Sequence, residues 1–244
     1  IDYRSLIEKI IPTLTFKFPY SVDDYAKNLY LENYHCHKDF SNTATTDCAE
    51  SIENYAERIH GFGTKCLFSG EHGSQGNQFQ VYKIAEKENL KYIHSSEAYW
   101  VKNRLEKDRA NCHIILVAKN QEGRKDINYA LSIANEDGYY YKPRIDLELL
   151  FNIPKDNIIV TSACISGWNY EDSEEIWLKI HEYFGDNFFL EVQYHNTEPQ
   201  KELNKRILRM AKKHNIQIIC GLDSHYITNE SSVKRSQILK YKKI

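Results

Sequence analysis

HIILVAKNQEGRKDINYALSIANEDG, residues 113–138, is the stretch on which the fold turns. It opens with His113 and an unbroken apolar run, Ile114 to Ala118. Such a run, at strand length, is expected of a strand covered on both faces. It then passes into KDINYALSIANEDG (125–138), a helical pattern that stops at Gly138. A strand followed by a helix that returns over the sheet is the βαβ unit, and its repetition builds an α/β fold with parallel strands.

The unit recurs in both directions from there. Further strand-like runs are LYLENY (29–34), TKCLFS (64–69), LKYIHS (90–95), NIIVTS (157–162), NFFLEVQ (187–193) and IQIICG (216–221). Helical patterns lie between them. SIENYAERIHGFG (51–63) offers Ser51 as N-cap and closes on Gly61 and Gly63. FQVYKIAEKENL places Phe79, Tyr82, Ile84 and Ala85 on one stripe. SEEIWLKIHEYFG ends at Gly185. EPQKELNKRILRMAKKHN spaces Leu203, Ile207, Met210 and Ala211 for one face, with Lys212 and Lys213 in the last turn. Seven strand candidates suit a closed or nearly closed α/β barrel, one strand short of the usual eight. An open doubly wound sheet fits the same alternation.

In such barrels the chemistry collects at the C-terminal ends of the strands. The sequence places ligand-type residues there repeatedly. LENYHCHKDF carries His35 and His37, which in an extended segment point to the same side. GEHG brings Glu71 and His72, SSEAYW brings Glu97, and TSAC brings Cys164. NFFLEVQYH carries Glu191 and His195, and GLDSHY carries Asp223 and His225. His113 stands apart, at the start of its run instead of the end. Taken singly, His113 reads as a core histidine, Cys164 as an inert buried thiol, and Glu97 as a partner for Arg104. Together they are the imidazole, carboxylate and thiolate set of zinc and related divalent ions. Their number suggests two or three ions, a standard device for phosphoester hydrolysis.

Bulk properties bound the rest. The chain has 244 residues, 41% hydrophobic and 27% charged, an ordinary globular composition with room for one large domain. Its formal net charge of −2 gives no basic footprint from which nucleic-acid binding could be argued. Six cysteines occur without a C-x-x-C pair, which points to a reducing, cytoplasmic setting. Cys66, Cys112 and Cys220 sit in apolar runs, where a thiol acts as a small hydrophobe. No apolar run approaches the roughly 18 residues of a membrane span, and no signal peptide is visible. Because the sequence starts at Ile1, it reads as a fragment of something longer.

The ordered motifs HCHKDFSN, GEHGSQGN, EAYWVKNR, NCHIILVAKNQEGRKDIN, GYYYKPRIDLELL, TSACISG, NFFLEVQYHN and GLDSHY resemble the polymerase-and-histidinol-phosphatase (PHP) domain family. They look most like its polymerase branch, found in bacterial C-family DNA polymerase III alpha subunits. The resemblance covers about residues 30 to 230. It implies a distorted seven-stranded (β/α)7 barrel with a trinuclear metal site. The implied ligands are His35, His37, His72, Glu97 as a bridging carboxylate, His113, Cys164, Asp223 and His225, with Asp47 as the ninth and Asp39 as its fallback. Cysteine at 164 is typical of the polymerase branch, where phosphatases usually have histidine. Glu71 stands where the family commonly has aspartate.

The resemblance further implies a metal-dependent phosphoesterase, with 3′–5′ exonuclease activity on a DNA 3′ end. Zinc is the ion expected first, with manganese, iron or magnesium as alternatives. Glu97 and His195 would serve catalysis, and Lys142 and Arg144 would hold a phosphate. The expected organisation is an N-terminal extension (1–28), the PHP domain (29–230), and the start of a linker (231–244) to a downstream polymerase domain that carries nucleotidyl transfer. Two rival readings remain at this stage: a free-standing phosphatase of a small phosphomonoester, and a non-catalytic metal-binding scaffold for a polymerase. No membrane partner is expected.

Overall fold

The computed structural model describes residues 32–43 and 48–241. Among them the chain is a mixed α/β fold. The strands are β1 (Cys66–Phe68), β2 (Glu71–His72), β3 (Lys91–Ile93), β4 (Ser95–Trp100), β5 (Cys112–Ala118), β6 (Arg144–Ile145), β7 (Ile158–Thr161), β8 (Phe188–Gln193) and β9 (Gln217–Gly221). The helices are α1 (Ile52–Gly61), α2 (Gln78–Lys87), α3 (Gln121–Glu136), α4 (Leu147–Phe151), α5 (Ser173–Phe184), α6 (Glu198–His214) and α7 (Asn229–Tyr241). β1 and β3 pair by themselves. The larger sheet runs β2-β4-β5-β7-β8-β9, with β6 paired to β4. No described helix is long and apolar enough to cross a membrane.

The expected all-parallel arrangement is corrected at one place. β5 runs antiparallel to both β4 and β7, while β2–β4, β4–β6, β7–β8 and β8–β9 are parallel. That reversal removes the anomaly of His113. The N-terminal end of an antiparallel strand lies beside the C-terminal ends of its neighbours, so His113 shares their end of the sheet.

Four strand assignments also change. SSEAYW is itself a strand, β4, and His94 separates it from β3. GEHG holds the short strand β2, and RI of KPRIDLELL forms β6. Their polar residues hid them from a reading based on apolar runs. Of LYLENY, residues 29–31 lie outside the described residues and 32–34 form no strand. The chain makes only a parallel bridge further on, Cys36 with Ser224, with His37 N donating to Ser224 O at 2.8 Å.

Alternation along the strands sorts two cores. Ala98, Trp100, Ile114, Leu116, Ile158, Val160, Phe188 and Leu190 point to the helices, where Ile127, Leu131, Trp177, Ile180, Leu203 and Ile207 close over them. On the other face Ile115 and Val117 join Tyr34 and Ala163 in a small inner cluster. The helices follow their sequence signals. Ser51 caps α1 by accepting from Asn54 N, and Asn215 ends α6 in the left-handed region at φ 55°. α3 starts earlier than the pattern suggested, at Gln121, because the Asn120 side chain accepts from Gly123 N. α2 turns a different face inward: Val81, Ile84 and Ala85 are buried, whereas Phe79 and Tyr82 are exposed. All six cysteines are free, and Cys112 is buried, but Cys220 is exposed on β9 instead of serving as a core hydrophobe.

Candidate metal centre

Glu97 lies at the middle of the cluster. On β4 it faces inward with Ser95 and Tyr99, away from Ala98 and Trp100. Its Oε2 stands 2.6 Å from His72 Nδ1 and 3.3 Å from His37 Nε2. Its Oε1 stands 3.0 Å from His113 Nδ1, 3.2 Å from His35 Nε2 and 3.7 Å from Cys164 Sγ. Asp223 Oδ1 completes the inner set, 3.2 Å from His35 Nε2 and 3.3 Å from His37 Nε2. The His37 ring stacks on that of His72 at 3.9 Å and lies 4.6 Å from that of His225. Thus eight of the residues named from sequence converge: His35, His37, His72, Glu97, His113, Cys164, Asp223 and His225.

The donor set fits divalent ions on a direct observation. His35 Nε2, His37 Nε2 and Glu97 Oε2 are buried and make no hydrogen bond of acceptable geometry, although polar atoms stand 2.6 to 3.3 Å away. Buried polar atoms are ordinarily hydrogen-bonded, and leaving them otherwise is costly. Three overlapping triads bring their ligand atoms within 4.8 Å of one another: His37, His72 and His225; His35, His37 and Glu97; His72, Glu97 and His113. Crowded lone pairs aimed at common points are what a cation reconciles.

Charge and burial act together on these groups. Burial alone would raise the Glu97 carboxyl, but His113, His72 and His35 outweigh it and hold the group well below the usual range. Burial likewise opposes ionisation of Asp223, and His35 and His37 reverse the effect. Burial, with His72 adding to it, keeps His37 well below the ordinary imidazole value, so the ring is neutral and able to ligate. Burial also pushes the Cys164 thiol well up, with Glu97 and Asp223 adding to the rise.

A second layer orients these ligands. Glu191 Oε1 lies 2.6 Å from His35 Nδ1, which fixes that proton and presents Nε2 to the cluster. Glu191 is itself held by Tyr34 Oη at 2.6 Å, Gln193 Nε2 at 2.6 Å and Thr161 Oγ1 at 3.1 Å. It has room because residue 221 is glycine: a Cβ there would fall 2.1 Å from Glu191 Oε1. His225 Nδ1 donates to the carbonyl of Asp223 at 2.9 Å. Asp223 adopts φ 47°, a left-handed conformation that aspartate tolerates better than most residues. His37 Nδ1 lies 3.2 Å from Ser41 Oγ, which donates to Glu71. The buried Lys38 ammonium pairs with Glu71 Oε1 at 3.1 Å, so Glu71 braces the site from behind. Sequence reasoning missed Tyr34, Lys38 and Ser41. Only the inward position of Glu191, between Phe189 and Gln193 on β8, hinted at its role.

Other expected residues fall elsewhere. Asp47 lies outside the described residues, and Asp39 is exposed and belongs to none of the triads. His195 is exposed beyond β8, in the loop where its carbonyl accepts from Thr197 N. Arg144, expected to hold a phosphate, is engaged within the chain. Its guanidinium is buried and donates to the carbonyls of Gly138, Asp108 and Arg104 at 2.7 to 2.8 Å, which ties two loops together. Lys142 lies over the Tyr99 ring, 5.0 Å from its centroid.

A fold of mixed sheet and helices, with a cluster of histidines and carboxylates at one end of its strands, fits a class of metal-binding α/β domains. The sequence signature of the PHP domain matches residues 33–195, and the chain belongs to that family. It is similar to the DNA polymerase III alpha subunit of Aquifex aeolicus, at 31% identity over 215 residues, 80% of this chain and 18% of that one. The Borreliella burgdorferi subunit is 29% identical over 219 residues, 84% of this chain and 19% of that one. The Helicobacter pylori subunit is 28% identical over 221 residues, 82% and 18%. The chain thus spans about a fifth of the length of these relatives. A solved amidohydrolase from Chromobacterium violaceum, with bound sulfate, superposes at a TM-score of 0.49 with 11% identity, over 82% of this chain and 89% of that one.

Proposed function

We propose that this PHP domain holds two or three divalent ions and hydrolyses a phosphodiester at the 3′ end of DNA, as the exonuclease part of a DNA polymerase III alpha-type protein. The observation that carries the reading is Glu97: one buried carboxylate within 2.6 to 3.3 Å of four histidine nitrogens. His35, His37, His72, Glu97, His113, Cys164, Asp223 and His225 would hold the ions, and the fold would be the distorted (β/α)7 barrel of the family. The ions would supply Lewis acidity, polarising phosphoryl oxygens and lowering the pKa of water. The chain's own residues supply order. Glu191 holds the His35 Nδ1 proton, the Asp223 carbonyl holds that of His225, and Ser41 with Glu71 steadies His37. Each leaves one ring nitrogen facing inward, so the site is assembled before substrate arrives.

The test uses purified, metal-loaded chain with 3′-labelled single-stranded DNA and, in parallel, small phosphomonoesters. Progressive shortening of the DNA is the expected result. Turnover of phosphomonoesters alone would establish the small-molecule phosphatase instead. Turnover of neither, with ions bound, would leave a non-catalytic scaffold.

A further inference from the structure

The turn at Tyr140–Lys142 has no part in the centre, yet it is built with unusual care. Tyr140 N donates to Lys142 O at 3.1 Å, which closes a three-residue turn with Tyr141 at its apex. Tyr141 has φ 61°, a left-handed conformation that is costly for a bulky side chain and persists only where its surroundings impose it. The residue is 58% exposed. The Arg109 guanidinium carbon lies over it, 3.8 Å from the ring centroid, and the group also donates to its hydroxyl. Arg144 fixes the whole rim by tying Gly138 to Asp108 and Arg104. An aromatic residue is thus strained, backed by a cation and held out to solvent on a rigid base.

The rim connects to the centre through Tyr99. The Tyr99 ring lies 5.3 Å from that of His113 and 6.2 Å from that of His72. Lys142 Nζ sits over the same ring and 3.4 Å from its hydroxyl. From the centre, contacts run through the imidazoles to Tyr99 and on to the Lys142 ammonium; Tyr141, with Arg109 against it, is the residue before Lys142 in the chain. Lys107 and Arg109, on the adjoining loop, are exposed and positive on a chain of net charge −2.

We propose that Tyr141 with Arg109 is a stacking platform, and Lys142 a phosphate contact, for single-stranded DNA whose 3′ end enters the centre; this rests on the phosphodiesterase reading above. A small phosphomonoester would end at the imidazoles and never reach Tyr141. A strand extending past the scissile phosphate would offer a base to the ring and a phosphate to Lys142. Every base has a stackable face, so the platform would be indifferent to sequence.

Binding is read by fluorescence anisotropy with a labelled phosphorothioate oligothymidylate of about 12 nucleotides. Tyr141→Ala should weaken binding roughly 5- to 150-fold, the range for loss of one base–aromatic stack. Tyr141→Phe should restore it. Lys142→Gln should lower the salt dependence by about one released counterion. Affinity within twofold of the parent for both Tyr141→Ala and Lys142→Gln would overturn the proposal. Hydrolysis of bis(4-nitrophenyl) phosphate, which has no strand to stack, is measured on the parent chain. If it is absent while Tyr141→Ala still loses affinity, the hydrolytic reading falls and the platform stands.

Discussion

The two faces of the same strands obey different rules. Toward the helices β4, β5, β7 and β8 show Ala98, Trp100, Ile114, Leu116, Ile158, Val160, Phe188 and Leu190, all apolar and buried. Toward the interior the alternate positions include Glu97, Tyr99, His113, Thr161, Glu191 and Gln193, also largely buried but polar. The outer face is held by area removed from water, which is non-directional and tolerant of exchange. Beside its small apolar cluster the inner face is held by directional polar contacts, and a half-satisfied network of that kind costs more than an apolar one. Stability therefore belongs mainly to one face and chemistry to the other, although their residues are neighbours in sequence.

Three substitutions can break or sharpen that contrast. The largest effect is expected at the centre. Glu97→Gln keeps the shape but removes the charge that faces His35, His37, His72 and His113; bound metal, counted by elemental analysis, should fall by at least one ion per chain, and hydrolysis should be lost. Undiminished metal content would remove Glu97 from the ligand set. Next is the outer face. Leu116→Ala should cost about 2–5 kcal/mol in urea unfolding while the folded protein keeps its ions. A drop in metal content there would show that the two faces are not separable. The smallest is one layer behind the ligands. Glu191→Gln, which leaves His35 Nδ1 without its carboxylate, should weaken metal binding about 10- to 100-fold in a chelator competition, with little change in apolar packing. Equal affinity would reduce Glu191 to a packing residue.

Legibility in the sequence follows the same division. β5, β7, β8 and β9 were visible because their apolar runs are long, and α1, α5 and α6 because caps and terminal glycine or asparagine bracket a helical period. β2 and most of β4 fall outside the apolar runs, since Glu71, His72, Ser96 and Glu97 are polar. The ligand types were legible wherever they clustered after a run. The three carbonyl contacts of Arg144 were not legible, because a guanidinium so engaged and one aimed at phosphate look alike as a letter in KPR. Tyr34, Ser41 and Lys38 carry no ligand signature, and they matter only through what they touch.

By itself the sequence determined much of the local order: which long apolar runs are strands, which capped periods are helices, and which residues could bind metal. Those follow from periodicity, capping and side-chain chemistry, all short-range. Only the tertiary structure decided that β5 runs backwards, and so that His113 meets Glu97 instead of facing the far end of the sheet. A hydropathy pattern reads the same in either direction along a strand, whereas a hydrogen-bonded ladder does not.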